Sequence, residues 1–270
     1  MYQQPHKQIE TRRQSQTLAL AACLTLLGGT AGAQATATKT DTALQVGAIE
    51  ALRRMGTYLR SLKRFSVDAS TQRDEVTRNN EKIQIGGTVA YQVRVPNGLR
   101  AEIKTDRKQR QILYDGKTLT VYAPRMHFYA SVPAPSTIGQ MLDSASKRFD
   151  IDFPLADLFL WGTPKDGVKE LTSARWIGPA FVDGVDTDQF AYRQNGTDWQ
   201  LWIQRGNPLP KKVVIVTTSN PALPEYVATL KWNLTPTFGD AVFSFAPPAG
   251  AERIVLASTV GQAERAPARK

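Results

Sequence analysis

The sequence holds two histidines, His6 and His127, and one cysteine, Cys23, so little chemistry is open to it. A Ser-His-Asp arrangement would have to use His127, but the Gly-x-Ser-x-Gly elbow is absent. His127 stands between Met126 and Phe128 in an alternating run, which predicts a strand position facing the same way as neither. Zinc would need carboxylates for most of its ligands, which is uncommon. Asp183, Asp186 and Asp188 mimic the start of a calcium loop without its glycine and distal glutamate; turn formation accounts for Asp183 and solvent for the other two. Asp150 and Asp152 are spaced for paired-carboxylate chemistry, but a helix cap is the simpler role. The residues therefore point away from catalysis and imply no cofactor and no metal.

Residues 1–35 carry Arg12 and Arg13, a short apolar run at 18–27, and Ala33-Gln34-Ala35. That order is the layout of a cleaved secretory leader. Its apolar run falls short of the ~20 residues that span a bilayer. Leu20-Ala21-Ala22-Cys23 also fits a lipobox, which would anchor the chain through Cys23. The run continues past Cys23, which favours cleavage after Ala35. Removing the leader takes +2 of the formal +10 charge and leaves +8 on 235 residues. This mature chain has no cysteine and no disulfide. A surface so basic attracts anions, and Arg100, Lys104, Arg107, Lys108 and Arg110 form a basic run. Export removes the chain from cytoplasmic nucleic acid, leaving a solvated sheet face first and anionic lipid headgroups or an envelope polymer second.

The remaining elements follow from periodicity. Leu44, Ala48, Leu52, Met55, Leu59 and Leu62 recur every three or four residues, which predicts a helix capped by Asp41 and running to Lys63, weakened by Gly47 and Gly56. From Phe65 the period is two. Phe65 to Ala69, Ile83 to Val95, Leu99 to Ile103, Ile112 to Tyr114, Leu119 to Val121 and Met126 to Val132 read as consecutive antiparallel strands, with a bend or bulge at Gly86-Gly87. Ser136 is positioned to cap a helix bearing Ile138, Met141, Leu142, Ala145 and Phe149. Asp152-Phe153-Pro154 then opens a short helix with Leu155, Leu158, Phe159, Leu160 and Trp161. This is more apolar surface than one face of a short helix needs. It predicts either a plug on the open side of the sheet or a lid over a cavity.

Residues 182–216 organise the chain. Asp183-Gly184 and Asn195-Gly196 are hairpin pairs. Between and beyond them Phe190 and Tyr192 share one face, as do Trp199, Leu201 and Ile203, while Gln200, Trp202 and Gln204 point the other way. Pro208 and Pro210 cannot pair inside a sheet, so a crossing is expected before the buried run 213–216. Tyr226 to Leu234 and Val242 to Phe245 supply two last strands. The pattern of Asp-Gly, aromatic strand, Trp-x-Leu-Trp-Ile and Pro-Leu-Pro-Lys resembles the DUF2092 family of predicted periplasmic proteins, best over residues 200–212. More distantly it resembles the LolA/LolB lipoprotein-carrier superfamily, over about residues 51–256.

The resemblance implies an α+β fold, mainly β. A curved antiparallel sheet would form an unclosed half-barrel wrapped around the N-terminal helix and the mid-chain helical plug or lid. The expected organisation is a signal peptide at 1–35, one half-barrel domain at 36–256 and a flexible basic tail at 257–270. The expected function is that of an exported, periplasmic, non-enzymatic, monomeric binding protein for an acyl chain, lipid or lipoprotein-like ligand. Met141, Phe153, Leu158, Phe159 and Trp161 would line its site. The alternative is an interaction or sensor domain with a filled core and an envelope protein as partner. Intact-mass measurement of the exported protein should give a chain beginning at Thr36; a retained, acylated Cys23 would replace that expectation with an anchored lipoprotein.

Overall fold

A computed structural model describes residues 43–257. The expected leader with Cys23, the proposed cap Asp41 and residues 258–270 of the tail lie outside them. Helix α1 (Val46–Ser61) buries Ala48, Ala51, Leu52, Met55, Gly56 and Leu59. The stripe read from the sequence is thus the core face, except at its start. Leu44 precedes the helix and pairs in parallel with Ala174, with Gln45 N donating to Ala174 O (2.8 Å) and Ala174 N to Ala43 O (2.7 Å). Each large apolar side chain so buried contributes about 1.5–3 kcal/mol.

Six strands follow α1 in a meander: β1 (Arg64–Val76), β2 (Lys82–Arg94), β3 (Gly98–Thr105), β4 (Gln109–Tyr114), β5 (Thr118–Ala123) and β6 (Phe128–Pro133). Pairing of β1 with β2 stays in register through Gly86 and Gly87, so the expected bulge is not formed. The strand expected to begin at Met126 begins at Phe128. His127 instead ends a 3-10 turn in the left-handed conformation, φ 56°, and is exposed.

Helix α2 (Ile138–Phe149) is capped by Thr137, whose Oγ1 accepts from Gln140 N (3.4 Å), one residue later than expected. Helix α3 (Asp157–Leu160) also starts later than Asp152-Phe153-Pro154 suggested. Leu155 adopts φ 59°, which cannot continue a right-handed helix, so the turn begins only beyond it.

A second antiparallel meander follows: β7 (Leu171–Val182), β8 (Val185–Gln194), β9 (Thr197–Gln204), β10 (Pro210–Thr217) and β11 (Glu225–Asn233). The turns at Asp183-Gly184 and Asn195-Gly196 close hairpins as read. The crossing expected at Pro208 and Pro210 does not occur. β9 and β10 are neighbours; Pro208 lies in the loop between them, and Pro210 is absorbed by a bulge between Pro210 and Lys212 at the strand's first residues. The expected strand at Val242 to Phe245 is a 3-10 turn followed by an extended segment. Phe245 packs on Tyr122 and Tyr129, with ring centroids 5.5 and 5.0 Å apart, before β12 (Glu252–Arg253) pairs in parallel with β6.

The two meanders join where β1 pairs with β11, giving one sheet in the order β12-β6-β5-β4-β3-β2-β1-β11-β10-β9-β8-β7. It is mainly antiparallel, unclosed and carries few helices, as expected. Its apolar residues from β1 through β5 and β7 through β11 form one buried cluster with α1, α2 and residues 151–161. Inside that cluster Gly56 of α1 meets Gly162 backbone to backbone. A Cβ on Gly56 would lie 2.5 Å from Gly162 N, and one on Gly162 2.5 Å from Gly56 O, at φ 76°. By contrast, a Cβ on Gly47 would meet nothing within 4 Å. Urea unfolding should therefore show Gly47→Ala stabilising by about 0.4–1 kcal/mol. Gly56→Ala should destabilise by about 1–3 kcal/mol through overpacking.

Candidate functional site

The chain from Phe153 to Gly162 crosses the interior and is fastened at several points. Arg60 reaches from α1 to the end of α3, where its guanidinium donates to the carbonyls of Leu158 and Phe159 (3.1 Å to the latter). These acceptors stand at a helix C-terminus, where carbonyls lack intrahelical donors and a cation is favoured. Arg60 Nε is buried without a partner among the described residues, and burial lowers the pKa of its guanidinium. From the sheet, Tyr91 Oη donates to Pro154 O (2.6 Å), and its ring meets Phe159 edge-on at 5.6 Å. Tyr192 Oη donates to Ala48 O (3.0 Å), which ties α1 to β8. Burial raises the pKa of both phenols, so both remain donors at neutral pH.

Beside this segment a cavity of about 290 Å³ opens against β8, β9 and β10. Leu160, Trp161, Trp199, Val213 and Ile215 supply its apolar wall, and Asp157, Lys165, Asp166, Gln194 and Thr197 its polar side. Trp161 stacks on Trp199 at 6.4 Å, and Trp199 on Tyr192 at 4.2 Å. The segment's other flank forms a more open groove of about 600 Å³ with α2. Phe159, Leu160, Thr163, Pro164 and Lys165 face Thr137, Gln140, Asp143 and Ser144 across it. Leu160 and Lys165 border both spaces.

Of the residues expected to line a site, Trp161 borders the cavity and Phe159 the groove. Met141, Phe153 and Leu158 are buried in the common core and border neither. Val213, Ile215 and Asp157 were not assigned to a site by sequence. Their signal is thin: a lone acid within the apolar run 155–161, and an apolar strand indistinguishable from ordinary core. Two of the acids weighed from the sequence have structural roles. Asp188 holds Arg205 through two hydrogen bonds (3.1 and 2.7 Å) and accepts from Trp176 Nε1 (3.1 Å), which keeps its carboxyl below the usual range. Asp150 ends α2 in the left-handed conformation. Among the described residues no group of three or more His, Cys, Asp or Glu side chains could hold a metal ion.

Residues 48–257 match the family described as "Predicted periplasmic protein (DUF2092)". The chain belongs to this family. No curated protein matches the sequence. Among solved structures, the DUF2092 chain is similar to MucB at 15% identity, over 75% of this chain and 64% of MucB, with TM-score 0.45. It therefore spans a little under two thirds of MucB. It is similar to the Mycobacterium tuberculosis lipoprotein LppX at 12% identity, over 69% of this chain and 95% of that one, with TM-score 0.45. It is also similar to the LolA superfamily protein NE2245 from Nitrosomonas europaea at 12% identity, over 73% and 97%, with TM-score 0.34. No helix among the described residues of the DUF2092 chain is long and apolar enough to cross a membrane.

Asp157 is the electrostatic anomaly of the cavity. Asp157 borders the cavity and is exposed as a residue. Desolvation raises its pKa above the ordinary 3.8, against a smaller opposing effect of its backbone hydrogen bond. A raised native pKa means that the folded state holds the proton longer than the unfolded chain, so stability falls as pH rises through that interval and the cost persists above it. Asp157→Asn should thus raise the melting temperature at pH 7. The gain over wild type should shrink as pH is lowered through the raised pKa towards 3.8, and a gain independent of pH would contradict the desolvation argument.

Proposed function

We propose that the chain is an exported, non-enzymatic binding protein that holds an acyl chain or comparable apolar ligand against the mid-chain segment, between sheet and helices. The observation that carries this reading is the cavity bordered by Leu160, Trp161, Trp199, Val213 and Ile215. Its volume is near the lower end of the roughly 300–1,000 Å³ typical of ligand pockets, and the adjoining groove extends the apolar path along Leu160 and Phe159. Met141, Phe153 and Leu158 back this wall from within the core. Transport of a lipid or lipoprotein across the periplasm is the role such a site would serve, with the leader at 1–35 providing export.

The second reading is an interaction domain with a filled interior. The fastenings at Arg60, Tyr91 and Gly56 favour it, because a segment held by three independent contacts acts as a plug. The two readings separate in one titration. Lysolipid added to the purified chain should quench fluorescence of Trp161 and Trp199 saturably. Ile215→Asp and Leu160→Asp should each weaken that binding at least tenfold while the circular dichroism spectrum is kept, because a carboxylate in the apolar wall must be desolvated by the incoming chain. Absence of saturable binding in the wild-type chain would leave the interaction domain.

A further inference from the structure

We propose that one corner of the sheet, where the β5–β6 turn meets β12, docks on an anionic lipid surface. Met126, Ile254 and Val255 enter the headgroup layer, and Lys108, Arg110, Arg125 and Arg253 face its phosphates. The inference concerns the outside of the sheet and is independent of the cavity at Trp161.

Backbone pairing brings these residues together. β5 and β6 pair as far as Ala123 and Phe128, so the 3-10 turn Pro124–Met126 and His127 form the tip between them, with Arg125, Met126 and His127 exposed. β12 lies against the same tip: Glu252 N donates to His127 O and Ile254 N to Tyr129 O, each at 2.8 Å. Gln111 pairs with Tyr122, so Arg110 and Lys108, which precede it, stand at the end of the sheet where β5 turns into β6. Met126 is 65% exposed, Ile254 46% and Val255 94%, an apolar group on adjoining segments that the fold does not cover.

The charges around it are selective. Within the basic run 100–110, Arg100 and Lys104 pair with Glu102 (2.8 and 3.7 Å) and Arg107 with Glu75 (3.0 Å). Lys108, Arg110, Arg125 and Arg253 are exposed and form no ion pair among the described residues. The cations left over are thus those beside the apolar tip. Asp106 of the β3–β4 turn accepts from Gly86 N (2.9 Å), which leaves Glu252 as the acid of β12. Past residue 257 the sequence adds Arg265, Arg269 and Lys270 against Glu264.

Unpaired cations alone would suit any polyanion. Cations that flank protruding apolar side chains match a bilayer interface, where the acyl boundary takes the apolar groups and anionic headgroups the charges. The exposed apolar residues of β7 at the far edge of the sheet lack this match. Phe181 there faces Asp186 across the β7–β8 pair, and an anionic surface would repel it.

The test is flotation of the exported chain with vesicles of phosphatidylcholine alone or mixed with phosphatidylglycerol in equal parts. Binding should require phosphatidylglycerol and be lost in about 1 M salt, where the Debye length is ~3 Å. Arg125→Gln and Arg253→Gln should each weaken it roughly fivefold. Met126→Ser with Val255→Ser should weaken it at least about tenfold, through lost burial of apolar surface. Phe181→Ser, at the opposite edge, should leave it unchanged. Equal binding to both vesicle types, binding to neither, or binding that survives these corner substitutions overturns the proposal. So does an equal loss in Phe181→Ser, or self-association that the Met126 and Val255 substitutions abolish, since the corner would then join copies of the chain.

Discussion

A sheet that curves without closing has an apolar concave face, and that face loses its favourable transfer free energy unless something covers it. In this chain the cover must come from the same polypeptide, and α1 alone is too narrow for the whole width. Its buried stripe, centred on Leu52, Met55 and Leu59, serves the part of the sheet near β7 and β8, where Tyr192 donates to the carbonyl of Ala48. The rest falls to α2 and the segment that follows it. For the two covers to share one concavity their backbones must approach closely, and they do so where Gly56 meets Gly162. Side chains on both residues would force the covers apart. The glycine that weakens α1 by propensity is thus a condition of the tertiary structure.

Close packing at that point shapes what lies on either side. The segment is held at Pro154 by Tyr91 and at Leu158 and Phe159 by Arg60, so its first half is fixed. Beyond Gly162 the chain leaves the interior through Thr163-Pro164-Lys165 towards β7, and here the packing loosens into the cavity and the groove. The same divergence that Gly162 permits, at φ 76°, leaves Trp161 stacked on Trp199 on one flank and Leu160 between two spaces. The polar groups at the opening follow from the exit of the chain, since a segment leaving the core must pass through residues that tolerate water.

Much of this architecture was legible in sequence because local patterns carried it. The α1 stripe, the alternation of Trp199, Leu201 and Ile203, and the hairpin pairs at Asp183-Gly184 and Asn195-Gly196 depend on neighbours within a few residues. What was not legible depended on distant ones. β7 was not read as a strand because it is an edge: Trp176 and Phe181 are 50% and 75% exposed, and a register shift occurs between Trp176 and Gly178, so no clean period of two survives. Pro208 and Pro210 suggested a crossing because they lack N–H groups, but a bulge at the strand's start removes the need for one. The late start of α3 reflects the conformation of Leu155, which apolar periodicity does not encode. The cavity was least legible, since Asp157, Val213 and Ile215 are assembled by the pairing order of the whole sheet.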